Sequence, residues 1–333
     1  MKRSWLWLLC GAAVAAGAGV PLALGGREAL STLFTVPLGA VVALAGLSLA
    51  SALARAVKLR LLAMRLGHHI SVPRALITAF ASDAAFQATP AGAGGYPATI
   101  VLLRRGGVPA SAGVAMCAAD QALDSALFAV ALPLFCLLDL GDAVPAAWHS
   151  FAWLPAVVIL AVAVSIAIAY RFRSVWLTPL RALALRVRWL RERRERVRAF
   201  CARVVADFAR LRNGSRIVTC TLVLAVAAQW IARYAALWLA MIVLGHPLPF
   251  GLVFVAQSVA LHAAQWTGMP GGVGAGDVAL AAGLSPWAPL VVLGPALLLW
   301  RLATYHLVLL AGAIAFACDR RPIASAAIAA ADA

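Results

Sequence analysis

The sequence predicts an all-α polytopic membrane protein. Of its 333 residues, 64% are hydrophobic and only 12% are charged, and the mean hydropathy is +0.94. Apolar runs of about twenty residues, the length that crosses a bilayer core, recur along the chain. The formal net charge of +16 does not indicate nucleic-acid binding, because the Lys and Arg residues concentrate between these runs, as the positive-inside rule describes.

Six membrane spans are predicted, at residues 4–25, 33–54, 109–138, 148–170, 217–244 and 286–317. The first run has features of a cleaved signal peptide, but its length and the spans that follow favour a retained anchor. With the N-terminus in the cytoplasm, every basic cluster falls on the cytoplasmic side, including one that follows the second span (Arg55, Lys58, Arg60, Arg65 and Arg74). We therefore expect a multi-pass protein of a bacterial inner membrane with both termini cytoplasmic.

The spans divide the chain into five segments. These are an N-terminal anchor (1–32), a first repeat (33–147), a span with an Arg-rich segment (148–216), a second repeat (217–318) and a cytoplasmic tail (319–333). Fourteen arginines lie between residues 171 and 216, with apolar residues at roughly helical spacing. This pattern favours a basic amphipathic helix on the anionic cytoplasmic leaflet. A solvated linker helix and an RNA-binding helix are the alternatives.

Two further apolar stretches, 75–103 and 249–284, are interrupted by Pro and Gly. The first contains TPAGAGGYP (89–97) and the second contains GMPGGVGAGD (268–277). Neither half of either stretch is long enough to cross a core of about 30 Å as a helix. Non-helical backbone at membrane depth is tolerated only where protein or a wet cavity surrounds it. We therefore expect two re-entrant helical hairpins.

The two halves of the chain also resemble each other. LARAVKLRLLAMRLGH (53–68) aligns without a gap with IARYAALWLAMIVLGH (231–246), and PAGAG (90–94) aligns with PGGVG (270–274). The offsets are 178 and 180 residues. In the predicted topology the first LGH is cytoplasmic and the second is external, so the halves form an inverted-topology repeat. Transporters built in this way bind their substrates near the midplane, on broken helices.

Ionisable and amide side chains inside apolar segments are costly, so they are candidate functional residues. The substrate-binding candidates are Gln87, Asp120, Gln121, Asp124, Gln265, Asp277 and Arg301, with Pro90, Gly92, Gly94, Pro270, Gly271, Gly272 and Gly274 of the breaks. Asp120 and Asp124 share a helical face, where two carboxylates repel unless protonated or paired. We expect Arg301 opposite one of them. An Arg fork and free N–H groups at helix starts both suit an anion, which indicates a lipid headgroup.

Structural roles for the same residues stay open. Asp120 and Arg301 can form a structural ion pair, Gln87 and Gln265 can hold helices together, and His262 can be a satisfied interior histidine. GGVGAGD lacks the βαβ context of a dinucleotide site. No metal site, cofactor or catalytic residue is predicted, because no cluster has ligand spacing and no nucleophile adjoins a base. The six cysteines are expected to be buried, without disulfides.

These motifs resemble the lysylphosphatidylglycerol synthase/flippase-like transmembrane family, which includes the flippase portion of the multiple peptide resistance factor. The resemblance covers about residues 35–317 and rests on LARAVKLRLLAMRLGHHISVPRAL, TPAGAGGYPATIVLLRRGGVPAS with DQALD, and MPGGVGAGDVALAAGLS followed by LLWRL. Asp124, Asp277 and Arg301 fit the family pattern. The chain departs from it at Gly95, where the family usually has Glu, and at Gln121, where it usually has Arg.

The resemblance implies lipid translocation without aminoacyl transfer. We therefore expect a flippase-like transporter, not an enzyme, that moves an anionic or polyprenyl-linked lipid headgroup across the inner membrane. Its partners are then membrane lipids of the anionic or polyprenyl-phosphate type and no nucleic acid, and a homo-oligomer stays open. The alternatives are a membrane enzyme or accessory subunit of lipid or glycolipid (for example hopanoid) biosynthesis, and a scaffold that docks through its basic helix.

Overall fold

A computed structural model describes residues 3–138, 194–212 and 214–319. Within these ranges the regular structure is entirely helical and no strand is present, so the all-α prediction is confirmed there. The helices are α1 (Arg3–Thr35), α2 (Leu38–Arg65), α3 (Val72–Ala88), α4 (Gly95–Arg105), α5 (Ala110–Leu138), α6 (Arg194–Arg212), α7 (Arg216–Val243), α8 (Phe250–Gln265), α9 (Ala275–Leu284), α10 (Leu290–Arg301) and α11 (Leu307–Cys318). A π-helical turn, Leu302–His306, joins α10 and α11 into one continuous helix.

Four helices in the described part of the chain are long and apolar enough to cross a membrane. They are α2, α5 as far as Phe135, α7, and the continuous helix Leu290–Cys318. These match four of the six predicted spans. The predicted span 4–25 lies in α1, where the apolar segment Gly17–Gly26 is shorter and the backbone kinks at Gly26, with φ of 63°. The predicted span 148–170 lies outside the described residues.

Helix α2 corrects the prediction for the basic residues that follow the second span. It continues to Arg65, well past the predicted end at residue 54, because residues 55–66 contain neither Pro nor Gly, and Gly67 is the first residue that favours an end. Arg55 and Lys58 therefore lie inside an apolar helix, and they are 5% and 0% exposed. They are buried residues of the helix itself and do not belong to a basic segment between two spans.

The predicted duplication is present in the order and spacing of the helices. Helices α2 and α3 begin at Leu38 and Val72, and α7 and α8 begin 178 residues later. Helices α4 and α5 correspond in the same way to α9 and the continuous helix of α10 and α11, at an offset of 180. The turns after α2 and α7 also match: Gly67 and Gly245 have φ of 79° and 75°, a conformation that favours glycine.

The corresponding helices α2 and α7 pack against each other and run antiparallel. Arg65, the last residue of α2, donates through Nη1 to the Leu211 carbonyl (2.8 Å) and through Nη2 to Thr219 Oγ1 (2.5 Å), near the start of α7. Leu44, near the start of α2, packs into the apolar core that includes Ala240 and Met241 near the end of α7. Helix α2 therefore lies alongside its counterpart in the opposite direction.

Helix α3 likewise lies antiparallel to α11. Arg74 Nη1 lies 2.5 Å from Asp319 Oδ1, and Arg105 Nη1 lies 3.0 Å from Asp319 Oδ2. Burial opposes ionisation of Asp319, but the hydrogen bonds and charges of Arg74 and Arg105 outweigh it and lower the pKa of this carboxyl below its ordinary value. The start of α3, the end of α4 and the end of α11 are thereby tied together.

The Arg-rich segment is described only over α6, which packs against α5. Leu211 is buried at 4% exposure, but Val197 and Phe208 are 38% and 42% exposed, so part of the apolar face has no cover within the described residues. The prediction for the cysteines is only partly right. Of the described thiols, Cys117 is buried, whereas three others are exposed (Cys201, Cys220 and Cys318); all four are free.

Candidate functional site

The two Pro–Gly segments meet each other. We call residues 89–94 the first break and residues 266–274 the second break. Pro90 lies opposite Pro270 in an isolated antiparallel β-bridge. These prolines correspond at the offset of 180, so the two halves touch at equivalent positions.

Both breaks use the same backbone turn. In the first, Gly92 N–H donates to the Thr89 carbonyl (3.1 Å) and Ala93 N–H to Pro90 (3.1 Å). In the second, Gly272 N–H donates to the Met269 carbonyl (3.0 Å) and Val273 N–H to Pro270 (3.3 Å). Gly92 and Gly272 have φ of 70° and 62°, which explains why glycine recurs there.

The second break is closed by an ion pair from its own half. Arg301 Nε lies 2.6 Å from Asp277 Oδ1, and these residues are 2% and 0% exposed. The other two nitrogens of Arg301 donate to the carbonyls of Gly271 (3.2 Å) and Gly272 (3.4 Å). Asp277 Oδ2 also accepts from Gly274 N–H at 2.8 Å, so this carboxylate occupies the N-terminus of α9, where an external anion would otherwise bind.

This geometry corrects the predicted partner of Arg301. Arg301 was expected to face Asp120 or Asp124, but it pairs with Asp277. Its guanidinium also lies 4.4 Å from the Trp300 ring centroid. Since Nε, Nη1 and Nη2 all bind groups of this chain, Arg301 shapes the second break and is not free for a phosphate in this conformation.

Gln87 connects the two halves beside the breaks. Its Nε2 donates to the Thr304 carbonyl in the π-helical turn at 3.3 Å. A Cβ at Gly271 would lie 2.7 Å from Gln87 Oε1 and 2.5 Å from Tyr305, so no side chain fits there. The π-helical turn also lets His306 Nδ1 approach the Arg301 carbonyl, at 3.1 Å. Such π-helical insertions occur often at functional sites.

The first break has no equivalent carboxylate. The first turn of α4 contains no acidic residue, and Thr89 Oγ1 accepts from Gly94 N–H at 2.8 Å. At Gly95, where the related family usually has Glu, an added Cβ would overlap the Phe86 ring. The Phe86 and Tyr96 rings pack edge to face, with their centroids 4.9 Å apart. An aromatic pair thus fills the space beside Gly95.

A buried charge cluster lies beside the first break. Arg55 pairs with Asp83, and the Arg55 guanidinium lies 5.3 Å from the Phe86 ring centroid. Lys58 Nζ lies 2.5 Å from Asp120 Oδ1 and 2.8 Å from Asp124 Oδ1. The predicted residues Asp120 and Asp124 are therefore paired within their own half, by a lysine that the sequence reasoning assigned to the cytoplasm.

Gln121 and Gln265 are exposed, unlike most of the other candidates. Gln121 Oε1 accepts from the Tyr96 hydroxyl, and its Nε2 contacts Ser125 Oγ at 3.4 Å. The ring centroids of Phe135 and Phe250 lie 5.6 Å apart, and those of Phe128 and His262 lie 5.2 Å apart. Since the later residue of α5 contacts the earlier residue of α8, the two helices run antiparallel. This register puts Gln121 level with Gln265, beside the two breaks.

The described residues contain no group of three or more His, Cys, Asp or Glu side chains that could hold a metal ion. One small cavity lies near the breaks. A cavity of about 10 Å³, lined in part by Ser48, Asp83, Arg233 and Thr304, has room for about one water molecule. Two polar residues, Gln229 and Gln257, are buried in α7 and α8, and Gln257 Nε2 donates to the Tyr234 carbonyl at 2.9 Å.

The fold and the site define a multi-pass helical membrane protein with a duplicated helix–break–helix core whose breaks meet. The chain belongs to the family described as the lysylphosphatidylglycerol synthase TM region, which matches residues 8–312. It is also similar to a UPF0104 membrane protein of Archaeoglobus fulgidus, with 29% identity over 268 residues that cover 78% of this chain and 80% of the relative. The expected family is confirmed.

Proposed function

We propose that this protein is a lipid transporter with inverted-topology repeats, which moves the headgroup of an anionic or polyprenyl-linked lipid between the leaflets of the cytoplasmic membrane. It transports lipids and does not modify them. The observation that carries the proposal is the meeting of the two breaks at equivalent prolines, Pro90 and Pro270. Paired helix breaks at a repeat interface are where transporters of this architecture bind their substrates.

The antiparallel packing of α2 and α7 supports the inverted orientation. Both helices are long and apolar enough to cross the membrane, and the end of α2 lies beside the start of α7. If both cross it, corresponding helices cross in opposite directions. The hairpins of α3 with α4 and of α8 with α9 then enter from opposite faces, and both termini lie in the cytoplasm.

The first break is the proposed headgroup site. Helix α4 begins there without an acidic residue in its first turn, so its positive end is not neutralised as the N-terminus of α9 is by Asp277. The exposed amides of Gln121 and Gln265 offer hydrogen bonds to a polar headgroup from both halves. In this arrangement Arg301 and Asp277 hold the second break in shape, and Asp120 and Asp124 lie behind the site.

The two prolines are in contact in this conformation, and the cavity lined by Asp83 and Thr304 holds about 10 Å³. A headgroup needs more room than that, so transport requires the breaks to separate. The contacts between the breaks that separation would disrupt include the Pro90–Pro270 bridge and the hydrogen bond from Gln87 to the π-helical turn.

Reconstitution tests this proposal. We would place the purified protein in vesicles of phosphatidylcholine and phosphatidylglycerol with a fluorescent phosphatidylglycerol, and measure its sidedness by chemical quenching. The intact protein should equilibrate the probe between leaflets, and Gln121→Ala with Gln265→Ala should slow it without loss of stability, because both side chains are exposed. Thr221→Ala is the matched control, an exposed polar residue of α7 that bonds only its own helix.

If the intact protein and the double variant translocate the probe at the same rate, the two glutamines are not part of the headgroup site. No translocation by the intact protein of this probe or of a polyprenyl-phosphate probe would count against transport and favour an accessory role in lipid or glycolipid synthesis.

A further inference from the structure

The charge cluster beside the first break contains one carboxylate more than it has cations. It joins α2, α3 and α5 and consists of Arg55, Lys58, Asp83, Asp120 and Asp124. Four of the five are buried, at 0–6% exposure, and the side chain of Asp124 is 14% exposed. An unbalanced charge in such surroundings is costly, and proteins usually remove it by binding a proton or a counter-ion.

The excess falls on Asp124. Arg55 pairs with Asp83, and its Nη2 also lies 3.9 Å from Asp120 Oδ2. Asp120 therefore has two cations near it, Arg55 and Lys58. Asp124 has only Lys58, at 2.8 Å, and shares it with Asp120. The side chain of Asp124 is also twice as exposed as that of Asp120, 14% against 7%.

The surroundings of Asp124 add no second cation at ion-pairing distance, although the charge of Arg55 also acts on it from farther away. The groups that face it are Trp230 and Tyr234 of α7, with Asp120 of its own helix. Around the rest of the cluster lie Tyr96 of α4, Cys117 of α5 and, on α8, His262, which packs on Phe128. Arg233 of α7 lines the small cavity with Asp83 and packs on the Trp230 ring at 5.7 Å. The ion pair of Asp124 is thus formed with an ammonium group that Asp120 shares.

The cluster also contains an unused donor. Arg55 is 5% exposed, yet its Nε and Nη2 make no hydrogen bond. The distance of 3.9 Å from Nη2 to Asp120 is too long for one. A small shift of the Arg55 side chain would bring it into an ion pair with Asp120, and Lys58 would then pair with Asp124 alone. Two arrangements of the same five charges are therefore available, and the protonation of Asp124 decides between them.

A proton fits this site better than a metal ion. The Lys58 ammonium already occupies the position between the two carboxylates where a cation would lie. The described residues also form no group of acidic, His or Cys side chains that could ligate a metal. Gln121 and Ser125, three residues before and one residue after Asp124, are exposed at the surface of the described chain.

We propose that Asp124 is a proton-binding site that couples lipid movement to a proton gradient across the membrane. The inference rests on the proposed transport function. One proton passes from water to a carboxylate oxygen of Asp124, Lys58 stays protonated and pairs with Asp120, and the breaks are free to separate. Release of the same proton to water on the opposite side restores the shared ion pair.

The test uses the same vesicles with an imposed pH gradient. Translocation of the fluorescent phosphatidylglycerol by the intact protein should accelerate with the gradient in one direction and slow when it is reversed. Asp124→Asn should lose this dependence, and Asp124→Glu, which keeps a carboxyl group, should retain it. Asp207→Asn is the matched control, a carboxylate of α6 that contacts Ser111 and Arg210; its gradient dependence should be unchanged.

Translocation by the intact protein at the same rate in either gradient would overturn the proton site and leave the transport function standing. No translocation in any gradient would overturn both. If Asp124→Asn does not translocate the probe, the Asp124→Glu variant provides the test. A translocation rate of Asp124→Glu that is the same in both gradients would contradict the proposal. Infrared spectroscopy in detergent needs no transport: the intact protein should lose a protonated-carboxyl band on alkalinisation that Asp124→Asn lacks, and the same band in the variant would contradict the assignment.

Discussion

The first and second breaks share one backbone turn but are filled in opposite ways. In the second, Asp277 caps α9 and Arg301 binds both Asp277 and the carbonyls of Gly271 and Gly272. In the first, an aromatic pair, Phe86 and Tyr96, fills the space beside α4, and the charges lie one layer away, on α2, α3 and α5. Duplication thus preserved the backbone while the two side-chain environments diverged.

This difference assigns a structural role to the side chains of the second break and suggests a binding role for the first break. A helix N-terminus attracts an anion, and in the second half the chain supplies that anion itself. In the first half it does not, because the first turn of α4 contains no acidic residue, and we propose that this end binds an external anion. The comparison can be tested by changing each break in turn.

The largest expected effect is the loss of the ion pair in the second break. Arg301→Ala leaves Asp277 buried and unpaired, which typically destabilises a protein by about 3–5 kcal/mol. We expect a clear drop in the thermal unfolding temperature of the detergent-purified protein, measured by the loss of its monodisperse size-exclusion peak. The double variant Arg301→Leu with Asp277→Leu should recover part of that loss, because it removes both charges. Arg301→Ala with unchanged stability would mean that the ion pair does not hold the second break.

A smaller effect is expected in the first break, at Gly95. Gly95→Ala puts a methyl group into the Phe86 ring, and such overpacking commonly destabilises by about 1–3 kcal/mol. Phe86→Ala in the same chain should relieve the clash, so the double variant should be less affected than the sum of the two single ones. The same unfolding measurement checks this prediction.

Gly113→Ala on α5 is the matched control for Gly95. An added Cβ there meets its nearest neighbour, Ile100, at 3.5 Å, an ordinary contact, so we expect little or no loss of stability. If Gly95→Ala behaves like Gly113→Ala, the aromatic filling of the first break is not rigid, and a side chain can be accommodated there.

The sequence was sufficient to predict what depends on local chemistry. Clusters of Pro and Gly, as at 90–94 and 270–274, disfavour a continuous helix. The repeat that they mark reappears in helix order, turn hydrogen bonds and φ angles. The family followed from the same motifs. These predictions needed no knowledge of which helices touch.

The sequence was insufficient where the chemistry depends on partners far along the chain. Arg55 and Lys58 follow an apolar run, so they were assigned to a cytoplasmic loop, but Asp83, Asp120 and Asp124 on other helices allow them to be buried. Their spacing of three residues, on one helical face without an intervening Pro or Gly, was the available signal. The pairing of Arg301 with Asp277, not Asp120, likewise depends on the fold of the second break.

Cysteine labelling from the two sides of the membrane tests the central claim of inverted repeats most directly. His68→Cys and His246→Cys mark the equivalent turns after α2 and α7. They would be introduced singly in a chain without native cysteines, since Cys201, Cys220 and Cys318 are exposed. A membrane-impermeant maleimide in oriented vesicles should modify one site from the cytoplasmic face and the other only from the opposite face. Modification of both from the same face would contradict the account.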